Sequence, residues 1–311
     1  MDTMIFGQEN GQSAVDLALE TGALFDVRRD PVTLPDGTVP TVQSGKYRGQ
    51  PQYVTLWRER DDKPPVLLNV VPPQHPDSNY LQAIETSEAL FPESTSGMRV
   101  LGHGKRLIWS QEIDTSHDLG GGDTIRPHLL WTASLDGSWA TGCYGLASRA
   151  FCTNQIPFGN VHLSVKRTIN HDVRLSVRAH LLAGAGEATA RLRERVSALR
   201  HIPVSRSQFG TIVNALLPEP EPKKTGAKVH GKAKAVWERR VQAMWFHWDE
   251  EQDGPAAGTG WAAWNAVQSA ESHDFTKSRS VETAVKRQVD QVRGNDLPVT
   301  YEAEERLLAL A

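Results

Sequence analysis

The chain has 311 residues, 39% of them hydrophobic and 23% charged, with a net charge of −3. That balance is ordinary for a globular protein and excludes a disordered or collagen-like chain; no apolar run approaches the roughly 20 residues of a membrane span. Two cysteines in a chain this long exclude a disulfide framework and predict a cytoplasmic setting, as does an N-terminus, MDTMIFGQENGQSAVDLALE, with acidic residues where a signal peptide carries basic ones.

Ser13 and Gly22 bracket a short helix, AVDLALET, as N-cap and stop. Short β-like runs follow (LFDVRR, VPTVQ, YVTLWRE and VLLNVV), separated by the turn-forming segments PDG, GKYRGQP and DDKPP. NYLQAIETSEALF reads as a helix with Tyr80, Ala83, Ile84 and Phe91 near one face. MRVLGHG and KRLIWSQEI predict a strand pair joined through residues 102–104. IRPHLLWTASL and SWATGCYGLASRAFC meet at Asp136-Gly137, a strong hairpin signal. Small residues at Ala133, Ser134, Ala140, Gly142, Gly145 and Ala147 leave room for close packing on that hairpin. VHLSVKRT is a further strand.

From about Arg174 the period becomes helical. EATARLRERVSALR turns Ala190, Leu192, Val196 and Leu199 toward a core, and SQFGTIVNALL makes a second helix that stops at Pro218. After PEPEPKKTGAKVHGKAK, the runs AVWERRVQAMWFHW, GTGWAAWNAVQSAESHDF and SVETAVKRQVDQV are helical. Strands that follow one another without regular intervening helices predict an α+β protein, with an antiparallel or mixed sheet, packed helices and a mainly helical C-terminal part. The expected organisation is a sheet-rich core over 1–170, a helical extension over 171–217, a Pro/Gly/Lys linker over 218–234 and a helical region over 235–311 that packs back on the core.

No catalytic residue, cofactor or metal is predicted. Cys143 and Cys152 lie nine residues apart in apolar, strand-like sequence, where a thiol behaves as a small hydrophobe. LGHGKR lacks the phosphate-loop pattern, and the DLGGGD loop has no helix start after it. The tripeptide Ser-His-Asp occurs at 116–118 and at 272–274, but neighbours in sequence rarely converge as a triad. Trp237, Val241, Trp245 and Trp248 recur at helical spacing, which predicts a core or an interface.

Charge is the uneven property. Between Asn160 and Arg240 there are 16 Lys and Arg against 6 Asp and Glu, so the rest of the chain is acidic. Such regional imbalance points to a polyanion-binding face. The candidate nucleic-acid contacts are Lys166, Arg167, Arg174 and Arg178 around the last strand, and Lys223, Lys224, Lys228, Lys232 and Lys234 in the linker. A solvated, lysine-rich linker is the plainer account of the second group.

The 129–156 hairpin, VHLSVKRT and the late GTGWAAWNAVQSAESHD together resemble the phage/plasmid-related protein family, a domain-of-unknown-function family. The matching residues are Asp136, Gly137, Ser138, Cys152, Asn154, Thr168, Trp261, Asn265, Ala266, Val267 and His273. Asn265 and His273, eight residues apart, are expected on one polar helix face. Ala133, Leu135, Ser269, Ala270 and Ser272 depart from the family pattern where it is polar or aromatic, which counts against a reactive site here. The resemblance implies mobile-element biology, with the chain in the host cytoplasm if phage-encoded. The expectation is a non-catalytic, single-stranded-DNA-binding protein of recombination, one that anneals strands as an oligomer in the manner of phage annealing proteins. The alternatives are a regulatory or host-takeover protein that binds a bacterial protein, and an enzyme with an unrecognised site; no membrane partner is expected.

Overall fold

Two long apolar runs flanking Asp136-Gly137 organise the sheet in the computed structural model, which describes residues 13–61, 63–75, 79–113, 117–149, 155–166, 168, 170–179, 185–221, 231–275 and 298–310. The described elements are α1 (Ala14–Glu20), β1 (Val27–Pro31), β2 (Val54–Arg58), β3 (Val66–Val71), α2 (Leu81–Leu90), β4 (Thr95–Leu101), β5 (Arg106–Glu112), β6 (His117–Asp118), β7 (Thr124–Ser134), β8 (Thr141–Arg149) and β9 (Gln155–Val165). Then come α3 (His171–Ala179), α4 (Ala185–His201), α5 (Arg206–Leu216), α6 (Gly231–Gln252), α7 (Gly260–Ser269) and α8 (Pro298–Leu308). The protein is α+β. One three-stranded sheet has the order β1-β2-β3, and a six-stranded sheet runs β4-β5-β7-β8-β9 with β6 beside β7. Every described strand register is antiparallel.

The chain forms two compact units. The first comprises 1–114, 128–145 and 160–186, the second 115–127, 146–159 and 187–311. In the first unit the core is built on a cross-strand pair: Trp109 of β5 lies directly opposite Trp131 of β7, with rings stacked at 5.6 Å and 8°. Both indoles are fully buried. Helix α2 meets the pair at Trp109, whose Nε1 donates to Ser87 Oγ at 2.9 Å. Tyr144 explains one of the small residues: a Cβ at Gly142 would come within 2.5 Å of its hydroxyl. Ser13 stands at the start of α1 without a side-chain capping bond. VPTVQ is not a strand; it makes a single bridge, Thr41 to Pro51, because both of its faces are half-exposed and neither supplies a core side.

The second unit is largely helical. Helix α4 buries Leu192, Val196 and Leu199, but Ala190 is exposed, since a short methyl group adds little when turned inward. Ser205 and Gln208 form a reciprocal capping box that starts α5. Phe209 of α5 stacks on Trp248 of α6 at 4.3 Å and meets Trp245 edge-on at 5.2 Å, so these two tryptophans of the α6 stripe are packing residues. Helix α7 is buried along its whole length, and its first residue, Gly260, approaches Leu199 so closely that a Cβ would lie 2.9 Å from that carbonyl oxygen. Among the described residues no helix is long and apolar enough to cross a membrane. The predicted helix at SVETAVKRQVDQV lies outside the described residues.

Candidate functional site

Strand β9 ends at Val165, and Lys166 follows it exposed to solvent. Helix α3 begins five residues later. Its Leu175 is fully buried, while Val173 is 68% exposed and Arg174 points outward with it. Arg178 lies one helical turn after Arg174 in the chain of α3; its side chain, like Arg167, lies outside the described residues. Neither Lys166 nor Arg174 has an ion pair or a side-chain hydrogen bond among the described residues. Of the linker lysines, Lys223, Lys224 and Lys228 lie outside the described residues. Lys232 and Lys234 do not sit in an irregular linker: α6 begins at Gly231, and both are exposed on its first turn.

Other arginines are committed to packing. Arg149, at the end of β8, is 3% exposed and grips Asp123 through two bonds, Nε to Oδ1 at 2.7 Å and Nη2 to Oδ2 at 3.0 Å. Its Nη1 reaches both oxygens of Glu251 at 2.8 and 2.7 Å. Arg200 adds a bond to Asp123 Oδ2 at 3.0 Å, and Trp261 Nε1 donates to the same oxygen at 3.2 Å. Two guanidinium groups thus balance two buried carboxylates. Those carboxylates hold Arg149 charged against the desolvation that opposes it, while burial pushes the Glu251 carboxyl upward against the pull of Arg149. In the sequence Asp123 shows only as the end of a glycine loop. Its one legible signal was Arg149, a cation ending an otherwise uncharged strand.

A second polar series joins β8 to α3: Thr141 Oγ1 to His171 Nε2 at 2.8 Å, and His171 Nδ1 to Asp172 Oδ1 at 2.7 Å. Hydroxyl, imidazole and carboxylate occur in the order of a nucleophilic triad. Thr141 and His171 are each 1% exposed, so in this packing a reacting carbonyl cannot reach the hydroxyl. What the series does is anchor the start of a helix to the start of a strand.

The family-motif residues separate by role. Asp136 accepts from Ser138 N at 2.9 Å and from Arg106 Nε at 3.1 Å, and Gly137 takes φ +72°, so this pair makes the turn. Trp261 joins the buried charge network and stacks on Trp264 at 5.2 Å. Asn265 is fully buried and donates to Trp261 O at 2.8 Å, whereas His273 is exposed. The two therefore sit in different environments, His273 lying in a π turn over Ala270–Asp274 that follows α7. In the same segment Glu271 turns inward and accepts from Thr300 N and Thr300 Oγ1 at 2.8 and 2.6 Å, capping α8. Cys143 is a free, fully buried thiol whose titration burial pushes well up, so packing is its role; Cys152 and Asn154 lie outside the described residues. No group of His, Cys, Asp and Glu among the described residues is arranged to hold a metal ion.

Residues 79–293 match the model of a domain of unknown function, DUF932. No curated protein and no solved structure matches the chain significantly.

Proposed function

The chain belongs to the DUF932 family, and we propose that it is a non-catalytic protein of phage or plasmid DNA metabolism that binds single-stranded DNA and brings strands together. One observation carries this reading: Lys166 and Arg174 stand exposed around the β9–α3 connection without an acid partner among the described residues, while Arg149, Arg195 and Arg200 are spent on Asp123, Glu251 and Glu304. Protruding cations without internal partners make phosphate contacts at little desolvation cost, and each contact releases a counterion.

The experiment is fluorescence anisotropy on a labelled oligothymidylate with the wild type and the double variant K166Q/R174Q, across a salt series. Two lost phosphate contacts flatten the slope of log K against log salt by about 1.4, at ~0.7 per contact on a single strand. An unchanged slope removes this face from the binding surface. A wild type that does not bind at low salt refutes the reading and turns attention to a bacterial protein partner.

A further inference from the structure

Where α5 ends and α6 begins, the second unit carries a cleft of about 600 Å³. Leu216, Pro218, Val236 and the Trp237 indole wall it, and Lys232 and Arg240 are its two cations. The volume lies within the range of small-ligand sites, roughly 300–1,000 Å³. Trp237 is held in place: its Nε1 donates to Leu217 O at 2.9 Å, which fixes the ring as a wall rather than a mobile flap. Arg240 is the unusual member. Its guanidinium lies 5.0 Å from the Phe275 ring centroid, and its Nε is buried without a hydrogen-bond partner. Among the described residues no carboxylate pairs with it.

A half-buried guanidinium that lines the cleft without a carboxylate partner, beside an apolar wall, calls for an anion joined to a flat apolar group. An inorganic anion would leave the wall unused, and a simple hydrophobe would leave Arg240 unpaired. We infer that this cleft is a mononucleotide-unit site, in which a base packs against Trp237 and Val236 while its phosphate is met by Arg240 and Lys232. The unit comes either from a free nucleotide or from one position of a single strand. The second source rests on the DNA-binding reading above and would supply the base contact that the β9–α3 cations cannot make. Stacking on an aromatic wall is tolerant of sequence, as a binder of arbitrary single strands requires.

The test uses the full chain and two probes, a free nucleoside monophosphate followed by calorimetry and a labelled oligothymidylate followed by anisotropy. The variants are R240Q, W237A and K232Q, with R239Q, an exposed neighbour on the same helix, as control and R240K as conservative rescue; thermal melts check that each folds. Lys232 is exposed, so K232Q reports even if R240Q fails to fold. The expected result is at least a tenfold weaker affinity in R240Q and W237A, a few-fold loss in K232Q, partial recovery in R240K and no change in R239Q. If the oligonucleotide binds and the cleft variants stay within twofold of wild type, the cleft inference is overturned while DNA binding stands. If the monophosphate binds through Arg240 but no strand does, the cleft stands for free nucleotides and the strand reading fails. Binding of neither probe overturns both.

Discussion

Replacing Arg149 by Met removes the one group that touches both buried carboxylates at once. Asp123 keeps Arg200 at 3.0 Å and the Trp261 indole at 3.2 Å, but Glu251, 4% exposed, loses both of its short bonds to a cation. Stranding a charge in this way costs about 3–5 kcal/mol, whereas replacing a whole buried pair by neutral groups is often nearly neutral. With about 2–4 °C per kcal/mol for units of 150–250 residues, the melting temperature of R149M falls by roughly 6–20 °C. The double variant R149M/E251Q, which removes the stranded charge as well, recovers at least half of that loss. The pH dependence has a defined sign. Burial already raises the Glu251 carboxyl, so the folded chain holds that proton more tightly than the unfolded chain does. Its contribution is greatest at low pH and is lost as pH rises through the raised value. Without Arg149 to oppose burial this effect grows, so the deficit of R149M shrinks as pH falls from 8 to 5. Urea melts at both pH values measure it; a deficit below about 1 kcal/mol at pH 8 would refute the reasoning.

Arg206 and Asp249 form an ion pair in which both side chains are more than half exposed, and R206A is expected to cost no more than about 1 kcal/mol in the same melts. Cys143, isolated by C152S, should react with a thiol reagent on the order of 10³-fold more slowly in the native chain than in denaturant, because labelling requires opening of the core. Since its folded titration lies above that of the unfolded thiol, its contribution is complete at neutral pH and declines as pH rises past about 8.5. G260A places a methyl group 2.9 Å from the Leu199 carbonyl and should destabilise by about 1–3 kcal/mol, read by denaturant melts. E271A uncaps α8 and leaves the Thr300 N–H without its acceptor, at a cost of about 1–3 kcal/mol by the same assay.

What the sequence made legible follows the range of the interactions involved. The Asp136-Gly137 turn and the periodic faces of α2, α4 and α6 depend on residues within a few positions of one another, and the expectations there agree with the structure apart from Ala190. Trp245 and Trp248 of α6 are readable as packing for the same reason. The charge network was not, because Arg149 meets partners 26 and 102 residues away and no local pattern links a glycine loop, a strand end and a helix end. The burial of Asn265 beside an exposed His273, and the π turn between them, are not anticipated by residue spacing at 3.6 per turn. VPTVQ had strand propensity but no buried side to pack, and propensity alone did not make a strand. The cleft by Trp237 was invisible because its walls come from the end of one helix and the start of another, brought together by packing.

If the protein binds single strands of DNA through exposed cations, as proposed, salt must weaken that binding. The most direct measurement is the anisotropy of the wild-type chain with a labelled oligothymidylate and with a duplex of equal length, from low to physiological salt. Tighter binding to the single strand, weakening linearly in log salt, is the expected result. Equal or stronger binding to the duplex, or no binding at low salt, would contradict it.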